Sequence, residues 1–308
     1  MSRPLTSLIG YGCAALGAAF FSTKAIFIKL AYQDQLDASL FLAYRMIFAT
    51  PVFVAIGLLA LAKRMAKGDP APDWQSISWA CFVGFVGYYM ASAFDFAGLQ
   101  YISASLERLV LFTYPLFVMI IGAVFYAEAI TAFGIAAAVV TYAGLAVVFA
   151  VDLPVGGRDT ALGTALVLGA AISFAWHQIL AKRVILHLGP TLFTSIALTS
   201  AGVFCVLHHV VFGSGSFTAT PRFMWLAAGC AVVATVLPTF LISAGLARVS
   251  SQAVSMIATV SPLVTIGLAI AILHEPFTAA DAFGAALVLF GVGLFTWGDS
   301  RSRRTPAS

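Results

Sequence analysis

Residues 115–131 read P-L-F-V-M-I-I-G-A-V-F-Y-A-E-A-I-T, and the same pattern returns at residues 262–278 as P-L-V-T-I-G-L-A-I-A-I-L-H-E-P-F-T. The two copies are related by a constant offset of 147 residues. The offset also aligns identical residues, without a gap, in the pairs Gly98/Gly245, Leu99/Leu246, Ser103/Ser250, Pro115/Pro262, Leu116/Leu263, Glu128/Glu275, Thr131/Thr278 and Gly144/Gly291. An offset that keeps Gly, Pro and Glu in register indicates an internal duplication, which we place at residues 1–150 and 151–308.

The composition indicates an integral membrane protein. Hydrophobic residues make up 61% of the 308 residues and charged residues only 9%, with a mean hydropathy of +1.01. A soluble domain carries roughly 25% charged residues, so this chain cannot cover a water-facing surface. Its apolar blocks are about 20 residues long, which is the length of a membrane-spanning helix rather than of a barrel strand. The expected fold class is therefore all-α, embedded in the lipid bilayer.

Ten apolar blocks have the length of a membrane-spanning helix. Most Lys and Arg residues lie in the connections on one side, which the positive-inside rule assigns to the cytoplasm together with both termini. These cations are Arg3, Lys63, Arg64, Lys67, Lys182, Arg183, Arg248, Arg301, Arg303 and Arg304. We place the ten spans at residues 7–31, 39–62, 75–98, 102–126, 131–150, 160–181, 190–212, 222–245, 251–273 and 279–298.

Five spans in each repeat have a consequence for topology. Because five is odd, the second repeat must cross the membrane in the opposite sense to the first. Such an inverted-topology repeat is the architecture of secondary transporters, whose two halves move against each other around a central site. Small-residue faces pack helices within a bundle and also between protomers, so the sequence is compatible with a homodimer as well as with a monomer.

These features of the chain resemble those of a known family. The ten spans, the duplicated Pro…Glu unit of residues 115–131 and 262–278, and the small-residue-rich helices are similar to the drug/metabolite transporter superfamily, in its ten-helix EamA-type exporter branch. The resemblance covers essentially the whole chain and implies export of amino acids or other small metabolites across the bacterial inner membrane. It does not imply which metabolite, because members with unrelated substrates share the fold and the repeat.

Other classes of function have less support. His274 and Glu275 begin a zinc-protease motif, but residue 278 is Thr where the second His is needed. No phosphate-binding loop is present, and the four cysteines have no metal-ligand spacing. We therefore expect no catalytic residue, metal or cofactor, and no nucleic-acid partner, since the net charge of +4 is a topology signal. A carrier of nucleotide sugars or phosphorylated metabolites and a membrane-embedded enzyme or scaffold are the alternatives.

Glu128 and Glu275 are the most conspicuous acids of the duplicated stretch. Each ends an apolar run, three residues before a Thr that can begin the next helix. A carboxylate near the positive end of a helix is stabilised by exposed backbone N–H groups. We expect both residues to determine the fold rather than to bind substrate.

Charged residues inside the spans are the main candidates for the substrate site, because each costs about 3 kcal/mol there on insertion scales. Asp95 lies in the third span, Glu107 and Arg108 open the fourth, and Lys24 lies well inside the first. Lys24 is the candidate to neutralise Asp95 or Glu107. Glu107 and Arg108 provide one charge of each sign, as the two charged groups of an amino acid require, although a local ion pair is the alternative.

Polar and aromatic residues complete the expected site, mainly between the third, fourth, eighth and ninth spans. His177 can titrate near neutral pH, although packing of Trp176 and His177 between helices is an equal possibility. Tyr44 and Arg45, near the start of the second span, are expected at the membrane interface. The candidate substrate-binding residues are Lys24, Tyr88, Tyr89, Ser92, Asp95, Glu107, Arg108, Tyr114, Trp176, His177, Thr239, Ser243, Gln252 and Ser255.

Overall fold

The structure, a computed structural model, describes residues 3–126, 130, 132–246, 248 and 261–302. This part of the chain folds into α-helices, short π-helical segments, and the turns and loops that join them. None of the described residues forms a β-strand. The all-α fold class expected from the composition is thereby confirmed.

The described helices are numbered here in chain order. They are α1 (Arg3–Ser22), α2 (Lys24–Tyr32), α3 (Ala38–Ala66), α4 (Trp74–Gly84), α5 (Ala91–Gly98), α6 (Ala104–Leu111), α7 (Tyr114–Tyr126), α8 (Ala132–Leu188), α9 (Pro190–Phe212), α10 (Pro221–Ala231), α11 (Leu237–Leu246), α12 (Ser261–Leu268) and α13 (Ala279–Ser302). The π-helical segments are π1 (Phe85–Met90), π2 (Val232–Val236) and π3 (Ala269–Leu273).

Seven stretches of the described residues are long and apolar enough to cross a membrane. Their bounds agree with the sequence prediction to within about one turn of helix, so the chain is a multi-pass membrane protein. The stretches are Leu8–Tyr32, Ala38–Ala66, Trp74–Gly98, Ala104–Tyr126, Gly157–Ala181, Pro190–Phe212 and Pro221–Ile242. Shorter apolar helices lie at Gly134–Ala150, Ser261–Leu273 and Ala279–Leu294.

The internal duplication is visible in the helix boundaries. Adding 147 to the ends of α4, Trp74–Gly84, gives the ends of α10, Pro221–Ala231. The segments π1 and π2 begin at the same offset and follow directly on these two helices. Asp73 and Thr220, again 147 residues apart, are the N-caps of α4 and α10, and each side chain accepts a hydrogen bond from a backbone N–H three residues on. The two repeats therefore share local structure as well as sequence.

Two of the spans are broken near the charged residues. The first span changes from α1 to α2 at Thr23. The fourth span changes from α6 to α7 at residues 112–113, just ahead of Pro115, which lacks the N–H needed inside a helix. Proline is tolerated in the first turn of a helix, where its N–H would have no partner anyway. Each break leaves backbone carbonyl groups available to donors from other helices.

The fifth and sixth spans, which we predicted at residues 131–150 and 160–181, are not separated by a loop. The chain is helical through α8, from Ala132 to Leu188, apart from an interruption at Gly157. Gly157 has a φ of +56°, a left-handed conformation that glycine adopts without the steric cost of a Cβ atom. α8 therefore consists of two helical segments that meet at this glycine.

Glycines bring helices of the two repeats into close contact. α8 packs along α13, and the duplicated pair Gly144 and Gly291 lies at this contact. A Cβ atom on Gly144 would lie 2.6 Å from the carbonyl oxygen of Gly284, and one on Gly291 would lie 2.7 Å from the backbone N of Thr141. These distances are too short for real side chains, so the close packing requires glycine at both positions.

Candidate functional site

Lys24 is the first residue of α2 and is buried, with 6% exposure. Its ammonium nitrogen lies 2.5 Å from Oδ2 of Asp95 in α5 and 3.7 Å from Oε1 of Glu107 in α6. Asp95 and Glu107 are buried as well. The pairing of Lys24 with Asp95 is one that the sequence predicted. With the buried Arg108 of α6, these residues form what we call the charged cluster, which has two basic and two acidic side chains.

The acids of the charged cluster have unused hydrogen-bonding capacity. Oδ1 of Asp95 and both carboxylate oxygens of Glu107 are buried and accept no hydrogen bond from an N–H or hydroxyl donor of the described residues, although the two carboxyl groups contact each other. Burying a carboxylate oxygen without a partner costs free energy, because the oxygen has lost its hydration. Such a carboxylate is suited to receive the cationic group of a ligand.

Arg108 joins the charged cluster to the second repeat. Its Nε donates a hydrogen bond to the hydroxyl of Thr265 in α12, at 3.0 Å, and its Nη2 donates to the carbonyl oxygen of Phe21 in α1, at 3.1 Å. Cζ of Arg108 also lies 5.4 Å from the centroid of the Phe21 ring, a cation–π contact. Among the described residues Arg108 forms no ion pair with Glu107, so the local pair considered above is not found.

A second contact between the repeats lies beside Arg108. The hydroxyl oxygens of Ser22 in α1 and Ser261 in α12 are 2.7 Å apart, and both residues are buried. The hydroxyl of Thr265 lies 3.0 Å from the carbonyl oxygen of Ser22, to which it can donate. Hydrogen bonds thus connect α12 of the second repeat to α1 and to the charged cluster.

Arg45, which we expected at the membrane interface, is buried between helices. It lies in α3 with 6% exposure, and its Nη2 donates a hydrogen bond to the hydroxyl of Ser92 at 3.2 Å. Its guanidinium group also lies over the ring of Phe96, at 4.7 Å from the centroid. A helix that starts at Ala38 places residue 45 about 10 Å from its end. This distance follows from the sequence and the helix rise, and it would have indicated that Arg45 is a candidate site residue.

His177 belongs to an aromatic packing cluster that is separate from the charged cluster. Its Nδ1 lies 3.2 Å from the carbonyl oxygen of Val83. Its ring stacks on Phe174 and meets the ring of Tyr88 edge to face, with centroids 4.6 Å apart. The packing interpretation of His177 and Tyr88 therefore describes their contacts in the structure.

The other aromatic candidates also make contacts away from the charged cluster. Tyr89 shares a hydrogen bond with Nδ1 of His208, at 2.7 Å. Trp176 packs edge to face with the exposed ring of Phe125. Tyr114 packs edge to face with an aromatic ring of α8. The structure thus divides the candidate residues into a charged group and an aromatic group.

The polar candidates of the second repeat are only partly described. Thr239 donates its hydroxyl to the carbonyl oxygen of Thr235 in the preceding turn, at 2.7 Å. The side chain of Ser243, and all of Gln252 and Ser255, lie outside the described residues. In the part of the chain that is described, no group of three His, Cys, Asp or Glu side chains is placed to hold a metal ion.

Glu275 caps a helix, but a different one from the helix that the sequence suggested. Its Oε1 accepts a hydrogen bond from the backbone N–H of Ala104, at 2.7 Å, and its Oε2 accepts from the backbone N–H and the hydroxyl of Ser105, at 3.2 and 2.9 Å. These residues begin α6, in the other repeat. The helix that follows Glu275, α13, is capped by hydrogen bonds between Thr278 and Asp281. Its partner Glu128 lies outside the described residues.

Comparison with known proteins places this fold and this repeat in a family. The sequence profile of the EamA-like transporter family matches the chain twice, over residues 8–150 and residues 161–297. The chain belongs to the EamA-like transporter family. The drug/metabolite transporter superfamily, to which the sequence pointed, includes this family. The protein is thus a multi-pass membrane transporter.

Individual relatives agree with the assignment to the EamA-like transporter family. The chain is 29% identical over 287 residues to the Bacillus subtilis (strain 168) protein named Uncharacterized transporter YcbK, in an alignment that covers 89% of this chain and 88% of the relative. A crystal structure of a protein with 19% identity matches with a TM-score of 0.61, over 99% of this chain and all of that chain. The latter match shows a common fold.

Proposed function

We propose that this EamA-like transporter is a secondary transporter that exports amino acids by alternating access across the inner membrane of a bacterium. The proposed topology has ten spans with both termini in the cytoplasm. Residues 1–150 and 151–308 form two five-helix halves of inverted orientation. The repeat offset, the paired helix boundaries and the distribution of Lys and Arg support this topology.

The buried charged cluster is the observation that supports an amino-acid substrate. An amino acid presents an ammonium and a carboxylate group, and the cluster offers buried groups of both signs. Within the described residues Glu107 accepts no hydrogen bond from an N–H or hydroxyl donor, and it is the proposed acceptor for the ammonium group. Nucleotide sugars and phosphorylated metabolites need several free cations, whereas Lys24 is held by Asp95 and Arg108 by Thr265 and Phe21.

The contacts between α1, α6 and α12 fit the closed side of an alternating-access cycle. With both termini in the cytoplasm, the start of α6 and the loop that contains Glu275 lie on the external side. Hydrogen bonds from Arg108 to Thr265 and between Ser22 and Ser261 then hold this side shut. Opening to the exterior requires α12 to move away from α1 and α6 and to break these bonds. The free energy of substrate binding to the charged cluster would compensate for part of that loss.

Efflux of amino acids from proteoliposomes tests the proposed function. Vesicles containing the purified protein are loaded with a mixture of the standard amino acids, and efflux is compared with that from protein-free vesicles. We expect efflux of at least one amino acid, and strong reduction of that efflux in Glu107→Gln, which removes the charge but preserves the shape of the side chain. Nucleotide sugars and sugar phosphates are tested in parallel. Sealed vesicles without flux of any amino acid would contradict the proposal.

A further inference from the structure

Arg45, like Arg108, is a buried cation that forms no ion pair within the described residues. Its exposure is 6%, and no carboxylate among the described residues lies within ion-pair distance of it. Its Nε is buried and has no hydrogen-bond partner in this part of the chain. Lys24, by contrast, has Asp95 as its partner. An uncompensated buried charge is strongly unfavourable, so Arg45 has a cost to the fold that its contacts with Ser92 and Phe96 only partly offset.

The position of Arg45 connects it to the charged cluster. It contacts Ser92 and Phe96, and Asp95 lies between these two residues in the sequence of α5. Phe96 packs in the same buried core as Cys230 of α10 and apolar residues of α2 and α3. Arg45 and the charged cluster therefore belong to one buried region, bounded by α2, α3, α5 and α10.

The free edge of the guanidinium group indicates what Arg45 can bind. Nε and Nη2 point to the same side of the planar group, and together they form the fork that binds the two oxygens of a carboxylate. Nε has no partner, and Nη2 retains a second N–H beyond the one that it donates to Ser92. The hydroxyl of Ser92 lies next to this edge and can donate a further hydrogen bond to a bound oxygen.

We propose that Arg45 binds the carboxylate group of the transported substrate, with Ser92 as a second donor. This assignment rests on the transport function proposed above and defines the orientation of the substrate in the site. The carboxylate end of the amino acid is held by α3 and α5, and its ammonium end is held by the acids of the charged cluster. Arg45 thus accounts for selectivity towards carboxylates, whereas Lys24 is paired with Asp95 and Arg108 already donates to Thr265 and to Phe21.

Ligand binding to the purified full-length protein tests the role of Arg45. The standard amino acids are screened by thermal shift in detergent, and each one that binds is compared with its amide, in which the carboxylate is replaced by a neutral carboxamide. We expect wild-type protein to bind the amino acid at least tenfold more tightly than the amide. In Arg45→Met the affinity for the amino acid should fall at least tenfold, or about 1.4 kcal/mol, while the affinity for the amide is unchanged. Arg45→Lys should keep part of the preference.

Two further variants separate binding from folding. Arg222→Met is the matched control, because Arg222 is an exposed arginine that pairs with Asp34 at 2.8 Å, and its loss should leave the preference for the carboxylate unchanged. Ser92→Ala keeps the buried charge and is expected to weaken binding of the amino acid but not of the amide, which keeps the test valid if Arg45→Met does not fold. An equal preference in wild type, Arg45→Lys and Ser92→Ala would overturn the proposal.

The same assay distinguishes this assignment from the proposed transport function. If no amino acid binds the wild-type protein, amino-acid export is refuted, and succinate and inorganic phosphate then serve as the anionic probes. A shift with succinate that is lost in Arg45→Met would retain Arg45 as a carboxylate site for another substrate. A shift with phosphate alone, or with neither anion, would refute it.

Discussion

Replacing Glu275 with alanine tests the contact between the two repeats. The substitution removes the acceptor of three hydrogen bonds at the start of α6, from the backbone N–H groups of Ala104 and Ser105 and from the Ser105 hydroxyl. The local cap remains, because the hydroxyl of Ser103 accepts a hydrogen bond from the backbone N–H of Leu106 at 3.1 Å. The variant therefore loses the cap that the second repeat supplies to α6 and keeps the cap that the first repeat supplies.

The expected loss in unfolding free energy is about 2 kcal/mol. A helix cap contributes about 0.5–2 kcal/mol, and a carboxylate at a helix N-terminus adds about 0.3–1 kcal/mol. Glu275 is only partly buried, so water can reach the donors that it leaves, and this limits the loss. At about 2 °C per kcal/mol for a chain of this size, Tm should fall by about 4 °C. Glu275→Gln keeps one acceptor without the charge and should have an intermediate Tm.

Thermal unfolding of the purified protein in detergent measures both variants. Asp73→Asn is the control, because Asp73 caps α4 within one repeat. Hydrogen bonds from the side chain and the backbone N–H of Ser76 lower the pKa of Asp73, so its carboxylate is charged at neutral pH. Asparagine is an equally good cap, and the Tm of this control should change by less than about 1 °C. Wild-type Tm values in both Glu275 variants would refute the role of Glu275 as a cap.

Further substitutions test the charged cluster, the packing and the backbone. Lys24→Met leaves Asp95 buried without its partner and should lower the unfolding free energy in a denaturant titration by about 3–5 kcal/mol, much of which Asp95→Asn should restore in the double variant. Gly291→Ala places a Cβ against α8 and should lower Tm, whereas Gly293→Ala places its Cβ in open space and should not. Equal Tm values for the two variants would contradict the close packing of α13 on α8. His274 has a φ of +54°, in the left-handed region that favours glycine. His274→Gly should therefore raise the unfolding free energy by about 1 kcal/mol, and His274→Val should lower it. A Val variant as stable as wild type would show that this conformation is not retained.

The general architecture could be predicted because it depends on patterns along the chain. Apolar length defines a membrane span, and the offset of 147 residues defines the repeat, so neither requires knowledge of which helices touch. The same offset appears in the ends of α4 and α10 and in the start of π1 and π2. The π-helical segments could not be predicted from the sequence, because a single extra residue per turn does not change the composition of an apolar span.

Contacts between distant helices were harder to predict. Glu275 was recognised as a cap, but its partners in α6 are about 170 residues earlier in the chain, and only the packing of the two repeats brings them together. The burial of Arg45 against Ser92 and Phe96 likewise depends on the packing of α3 against α5, which the sequence alone does not give. Aromatic residues such as Tyr88 and Trp176 could not be assigned, because ring contacts in a membrane bundle are equally compatible with packing and with a cavity wall.

The most direct test of amino-acid transport by alternating access is counterflow in proteoliposomes. Vesicles are loaded with a high concentration of an unlabelled amino acid and diluted into a trace of the same amino acid carrying a radioactive label. A carrier that exposes one site alternately to each side accumulates label transiently above equilibrium, so we predict an overshoot with wild-type protein and none in Glu107→Gln. Label that rises to equilibrium without an overshoot would indicate a channel or a leak, and no entry of any amino acid would indicate another substrate. Either result would contradict the proposed function.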